Sequence, residues 1–373
     1  MKLIIVLLWM SITLKLFAQQ IQSEPNFQAG LKFYHSGEYY VAIEYFKNAL
    51  AAMPDNAEAY YYLGYAYQYV GNINAAGESF LKGHKADKNN VKIMAALANY
   101  YTDIGEYKKA EVLLDKAIQT NPNYAETHNN RGVLFFRKGN YRAALESYNH
   151  AIRLDSTFAL AYSNRGTARY YHQDVEKASK TDIRMAIGDF NKALQLEPYL
   201  EVALKNRANA YRLLGEKDSS LADYEKYIQN NPKNFSGYLG RGKLKLETKQ
   251  YKEAIEDFMI AIEYKPDEAE AYYEMANAKS KLKYYNEAID DLIKAMAYDP
   301  WFKGNSFYKI AANYALMNEK EKAMAFLNRC AATKFFEARK QYEAFINDTD
   351  FDNLKNEKSF IALKERLKRK VKR

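Results

Sequence analysis

The chain has 373 residues, 48% apolar, 15% aromatic and 27% charged, a composition that excludes a disordered or collagen-like polymer. Its formal net charge of +9 gathers at the ends: the last ten residues, KERLKRKVKR, hold seven basic side chains and one acid, and Lys2 and Lys15 add two more. The body from Gln19 to Leu363 is therefore close to neutral, which argues against a nucleic-acid-binding surface, and the single Cys330 excludes an internal disulfide framework.

The first segment, MKLIIVLLWMSITLKLFAQQ, has a basic start at Lys2, an apolar run from Leu3 to Leu14 and a small residue at Ala18. That order predicts a signal peptide over 1–18, cleaved after Ala18. Lys15 interrupts the run before it reaches the roughly 20 apolar residues that a membrane span needs. The residue directly after Ala18 is Gln19, with no Cys there to carry a lipid. The expected location is outside the cytoplasm, in the periplasm or cell envelope of a Gram-negative bacterium.

From residue 23 the chain repeats itself. Gly64, Tyr67, Ala76, Phe80 and Gly83 recur as Gly132, Phe135, Ala144, Tyr148 and Ala151, and again as Gly242, Ala254, Phe258, Ala261 and Pro266. Pro54, Pro122, Pro198, Pro232, Pro266 and Pro300 fall at the same place, closing a unit where a second helix cannot continue. Each unit holds two apolar segments of helical period, with a small residue on one helix opposite an aromatic on the other. Such a hairpin cannot bury its apolar face alone, so neighbours must stack.

This pattern resembles the tetratricopeptide-repeat (TPR) family, across nearly all of the chain beyond the leader. The resemblance implies an all-α superhelical solenoid of nine hairpins: 23–56, 57–90, 91–124, 125–158, 159–200, 201–234, 235–268, 269–302 and 304–337. Residues 338–373 would form a cap and basic tail, since DTDFDNLKNEKSFIALK resembles a closing segment of bacterial TPR proteins. Phe360, Leu363 and Leu367 share one helical face there. The unit 159–200 is eight residues longer than its neighbours, and the insertion falls in HQDVEKASKTD. Either Asp174 caps a second helix that starts early, or the segment is a polar loop.

No sequence motif of catalysis or metal binding is present: HExxH, the phosphate loop, G-x-S-x-G and Cys-x2-Cys are absent, and His35, His84, His128, His150 and His172 share no ligand spacing. The expectation is a non-enzyme without cofactor or metal. What remains is surface recognition, the usual work of the family. Asn130, Asn164 and Asn206 occupy the sixth position of three successive units, with Asn209 one turn further on. That position points away from the partner helix, toward the groove that the resemblance implies. Side-chain amides both donate and accept, so a ladder of them can hold a peptide backbone without reading its sequence. The spacing is similar to the asparagine ladder of O-linked GlcNAc transferase.

Tyr62, Tyr65 and Tyr69 share the groove side of an earlier helix, as anchors for a partner or as packing between repeats. Arg131, Arg165, Arg207 and Arg241 fill the seventh position, and Asp189, Asp223, Asp257 and Asp291 recur on second helices, each in the unit following one of those arginines, so the two ladders are offset by one unit. Two ladders suggest structural pairing between or within hairpins, with arginine heads near water and each exposed pair worth about 0–1 kcal/mol. Asp155-Ser156-Thr157 resembles a bacterial O-glycosylation site, or is a polar turn.

The sequence thus predicts an exported adaptor that holds a protein or extended peptide in its groove. The alternative is a structural subunit of an envelope complex, working through its convex face and a basic tail that touches an anionic surface.

Overall fold

A computed structural model describes residues 23–171 and 179–371. The expected leader over 1–18, Asp174 and the last two residues of the tail lie outside them. Among the described residues every regular element is a helix. They divide into two compact units, the first ending at Leu200 and the second starting at Glu201.

The first unit holds α1 (23–35), α2 (Tyr39–Ala52), α3 (Ala57–Tyr69), α4 (Ile73–Ala86), α5 (Val91–Asp103), α6 (Tyr107–Thr120), α7 (Ala125–Arg137), α8 (Tyr141–Leu154), α9 (Ala159–Tyr171) and α10 (Lys180–Leu196). Asparagine starts many of them. Asn56, Asn72, Asn90 and Asn140 each accept, through the side chain, the backbone N–H three residues on, which satisfies a donor that the first turn leaves open. A left-handed residue turns the first four hairpins, for example Gly71 (φ 78°) between α3 and α4 and Gly139 (φ 75°) between α7 and α8. The paired helices touch through a missing side chain, because a Cβ on Gly132 would lie 2.5 Å from the Tyr148 ring. Within this unit α4 packs on α5, α6 on α7 and α8 on α9. The first helices of neighbouring hairpins also meet, α3 with α5, α5 with α7 and α7 with α9, and together they form one face.

Ser179 caps α10 by accepting the Asp182 N–H at 3.1 Å, and α10 runs 17 residues against 14 for α8. The insertion thus lengthens the described helix by about one turn.

The second unit holds α11 (Glu201–Leu214), α12 (Lys217–Asn230), α13 (Phe235–Glu247), α14 (Tyr251–Tyr264), α15 (Ala269–Lys281), α16 (Tyr285–Tyr298), α17 (Lys303–Leu316), α18 (Lys320–Ala331), α19 (Arg339–Ile346) and α20 (Lys358–Val371). Short 3-10 turns sit at Pro300–Phe302, Phe335–Glu337 and Thr349–Leu354. Helices α12 and α14 stop before Pro232 and Pro266, as the missing proline N–H requires. The closing segment packs onto the hairpin before it: Phe360, Leu363 and Leu367 are buried in one core with Phe351, Leu354 and Leu327. Cys330 lies in that core too, its Sγ donating to the Gly304 carbonyl at 3.4 Å.

Candidate functional site

On the face formed by the first helices of the first unit, a concavity of about 590 Å³ opens. Its wall includes Tyr62, Tyr65 and Tyr69 from α3, Asn130 from α7 and Asn164 from α9. Two sets of residues that are far apart in the sequence therefore share one surface.

The tyrosines reach it in different ways. Tyr62 is wedged among Phe27, Tyr34, Phe46 and Tyr61, so most of its ring serves packing between hairpins. Tyr65 donates its hydroxyl to Glu126 Oε1 at 3.0 Å, and Tyr124 donates to Glu126 Oε2. Burial, then the Glu126 charge, holds both phenols above the usual tyrosine range. They stay neutral donors, and the carboxylate, braced from two sides, fixes the aromatic wall. Tyr69 is 60% exposed, its ring stacked on Tyr39 at 4.2 Å. It is the tyrosine of the three with a face open to a partner. Glu126 was not legible as a site residue, because its two partners come from different hairpins.

The asparagines form a chain. Asn130 Nδ2 donates to the Ala95 carbonyl of α5 at 3.1 Å, Asn129 Nδ2 to Asn130 Oδ1 at 3.2 Å, and Asn164 Nδ2 to Asn129 Oδ1 at 3.0 Å. A carbonyl can only accept, so the Ala95 end fixes the direction of every amide in the series. Asn130 and Asn129 are buried, and Asn164 is the half-buried end of the chain. Asn206 and Asn209 lie on α11 in the second unit. Asn206 is half-buried. Asn209 is tied inside its own hairpin, donating to the Lys205 carbonyl at 3.1 Å and accepting the Tyr224 hydroxyl at 2.8 Å.

The charged ladders pair within hairpins. Arg165 grips Asp189 with Nε at 3.0 Å and Nη2 at 2.5 Å. Arg207 grips Asp223 with both nitrogens at 2.7 Å. Arg241 grips Asp257 at 3.0 and 2.7 Å. The expectation of exposed pairs is corrected here: Asp189, Asp223 and Asp257 are all buried, since each carboxylate sits on the inner face of its second helix. Two members stand apart. Arg131 reaches Asp115 of the preceding hairpin at 3.8 Å, both side chains exposed. Asp291 takes Lys279 at 2.5 Å, because Met275 fills the seventh position there and the cation comes from one turn further along. Lys245 and Arg169, at that same offset, give Asp257 and Asp189 a second partner. These ladders hold the hairpins together and leave the concavity to the tyrosines and amides.

Among the described residues no group of three or more His, Cys, Asp or Glu side chains could hold a metal ion, and no helix is long and apolar enough to cross a membrane.

Family models described as TPR repeat match residues 98–139 and 132–173, and others described as Tetratricopeptide repeat match 27–81, 203–234, 235–268 and 269–300. The chain belongs to the tetratricopeptide-repeat family. The human Protein O-mannosyl-transferase TMTC3 is 24% identical over 252 residues, covering 63% of this chain and 26% of its own. The chain thus spans about a quarter of the length of that curated relative. A tetratricopeptide repeat protein from Parabacteroides merdae superposes with a TM-score of 0.50 at 21% identity, over 69% of this chain and 98% of its own. A monomeric IFIT1 mutant, solved with Gppp-AAAA, superposes with a TM-score of 0.60 at 17% identity, over 83% of this chain and 71% of its own. At these identities the two structures show the fold alone.

Proposed function

We propose that the chain is an exported, non-catalytic adaptor that holds an extended segment of a protein partner on the concave face of its first unit, within a bacterial cell envelope. TPR repeats suggest a protein-interaction scaffold. One observation supports the finer reading: tyrosines braced on Glu126 and an amide chain ending at Asn164 line one concavity. Rigid aromatic rings supply contact area at low entropy cost. An amide beside them can donate to, and accept from, a backbone whatever its side chains. The envelope location rests on the order of charge and hydrophobicity in residues 1–18.

Purification of the full chain from the native envelope fraction, followed by mass spectrometry, supplies the partner. Overlapping peptides of that partner are then titrated onto the wild type and onto Tyr69→Ala and Asn164→Ala. Each lost hydrogen bond is worth about 0.5–1.5 kcal/mol net, so both variants should bind several-fold more weakly at unchanged folding. A partner that shows no binding segment, or variants that bind as the wild type does, would refute the groove.

A second reading has an observation of its own. Helix α20 buries Phe360, Leu363 and Leu367 against the cap, while Arg366, Lys368, Arg369 and Lys370 stay exposed. Its apolar face is already used, so any attachment to an anionic surface would be electrostatic. Salt would then release the protein, since charges are screened beyond about 10 Å at 0.1 M. Removal of residues 364–373 without change in envelope association at low salt would end this reading.

A further inference from the structure

In the second unit a separate concavity of about 390 Å³ opens where α15, α17 and the turn Thr349–Leu354 face one another. Two polar atoms of opposite kind are buried at it without a hydrogen-bond partner among the described residues: Nδ2 of Asn313, a residue only 2% exposed, and Oδ1 of Asn277. The orientation of Asn277 is fixed, because its Nδ2 donates to Glu274 Oε2 at 2.8 Å and a carboxylate can only accept. A buried polar atom left unpaired costs roughly 1–3 kcal/mol, so both atoms favour a ligand that completes them.

Charge of both signs lines the same space. Lys309 projects from α17, and burial pushes its ammonium below the usual lysine range although Glu274, Asp350 and Asp348 oppose that shift. Its Nζ lies over the Tyr273 ring, 5.7 Å from the centroid. Across from it, Asp348 is occupied, accepting the Tyr308 hydroxyl at 2.5 Å and the Asp350 backbone N–H at 3.0 Å. The Asp350 carboxylate carries no such donors among the described residues, and burial, then the Asp348 charge, raises its pKa while Lys281 and Lys309 lower it.

A simple anion here would meet Asp348, Asp350 and Glu247, and a simple cation would meet Lys309, Lys281 and Lys249. A zwitterion satisfies both. We propose that this concavity binds a free α-amino acid, whose carboxylate is received by Lys309 and Asn313 and whose ammonium is received by Asp350 and Asn277 Oδ1. Leu246, Ala312 and Leu316 also line the wall, so the amino acid is one with an apolar side chain. The volume lies at the small end of ligand pockets, which suits a free amino acid better than a folded partner.

The test uses the full chain in calorimetric titration and thermal melting. L-leucine is compared with isoamylamine, which lacks the carboxylate, and with N-acetyl-L-leucine, which lacks the ammonium. Leucine should bind and raise the melting temperature, and each analogue should bind at least about tenfold more weakly, as loss of a charge-assisted hydrogen bond implies. Lys309→Met should abolish binding without lowering the melting temperature of the free protein, since it removes a desolvated charge. Asn313→Asp, which sets a carboxylate against the ligand's own, should also abolish binding and serves if Lys309→Met fails to fold. The proposal is overturned if leucine produces neither heat nor shift at millimolar concentration. It is equally overturned if N-acetyl-L-leucine binds as well as leucine, which would make the site a carboxylate receptor only, or if a folded variant at either residue binds as the wild type does.

Discussion

Replacing Arg207 with methionine keeps the length of the side chain and removes the guanidinium. Asp223 on α12 is 6% exposed and receives two nitrogens of Arg207, both at 2.7 Å. The variant leaves a buried carboxylate without its ion-pair partner, an arrangement that costs about 3–5 kcal/mol. Arg241→Met should cost less, about 1–3 kcal/mol, because Asp257 keeps Lys245 at 2.8 Å. The double variant Arg207→Met/Asp223→Leu removes both charges and should return to within about 1 kcal/mol of wild type, since buried pairs gain little over apolar packing. The assay is urea unfolding followed by circular dichroism, with midpoints compared because a repeat array can unfold in more than one step. The order Arg207→Met, then Arg241→Met, then the double variant, from least to most stable, is the expected result. A double variant as unstable as the Arg207 single would show that the carboxylate is not the source of the cost.

Other outcomes follow from single residues. Lys249 turns the α13–α14 hairpin at φ 65°, where the Gly71 and Gly139 turns use glycine; Lys249→Gly should stabilise by about 0.5–1 kcal/mol, and a lower melting temperature would contradict this. His150 stacks on His128 at 4.1 Å, and burial, then the His128 and Arg153 charges, lower its pKa from 6.5. The folded state therefore takes up fewer protons than the unfolded one: the stability His150 contributes is complete above about 6.5, declines as pH falls through that value, and levels off below the folded pKa. His150→Gln should melt with a shallower loss of stability between about pH 7.5 and pH 5.5, and an equal slope in both proteins would refute the reasoning. Burial pushes the Cys330 thiol up to about 12, so it should resist a disulfide reagent in the native protein and react at once in denaturant; fast native labelling would place it outside the core.

Much of the fold was legible because each hairpin is a local object. Gly132 and Tyr148 already announce the close approach of their helices, and Pro232 and Pro266 mark where second helices end. The capping face of Phe360, Leu363 and Leu367 could be read from spacing alone. The groove asparagines were harder, since the partners of Asn130 and Asn164 lie a whole repeat away. Asn130 looks like a wet groove residue until α5 presents the Ala95 carbonyl to it, 35 residues back. Asp291 follows the acid ladder, yet its cation is Lys279, visible only once one allows the base to move by a turn. Arg165, Arg207 and Arg241 each pair with a buried acid, so an exposed-pair energy is too low for them, because sequence spacing does not show that the acid is the buried member. Glu126 repeats Glu58 and Glu270 at the second position of a unit, with nothing in the sequence to set it apart, and Asn313 has no counterpart at its position in the other units.

The central claim concerns where the partner sits, and site-specific photo-crosslinking in the native cell tests it most directly. A photoreactive residue is placed at Asn164, in the concavity, and in a second strain at Val112, which is 69% exposed on α6 and lies outside it. The account predicts that one protein partner is captured from position 164 and not from position 112. Capture of the same partner from position 112 alone would place the interface on the other face and contradict the account.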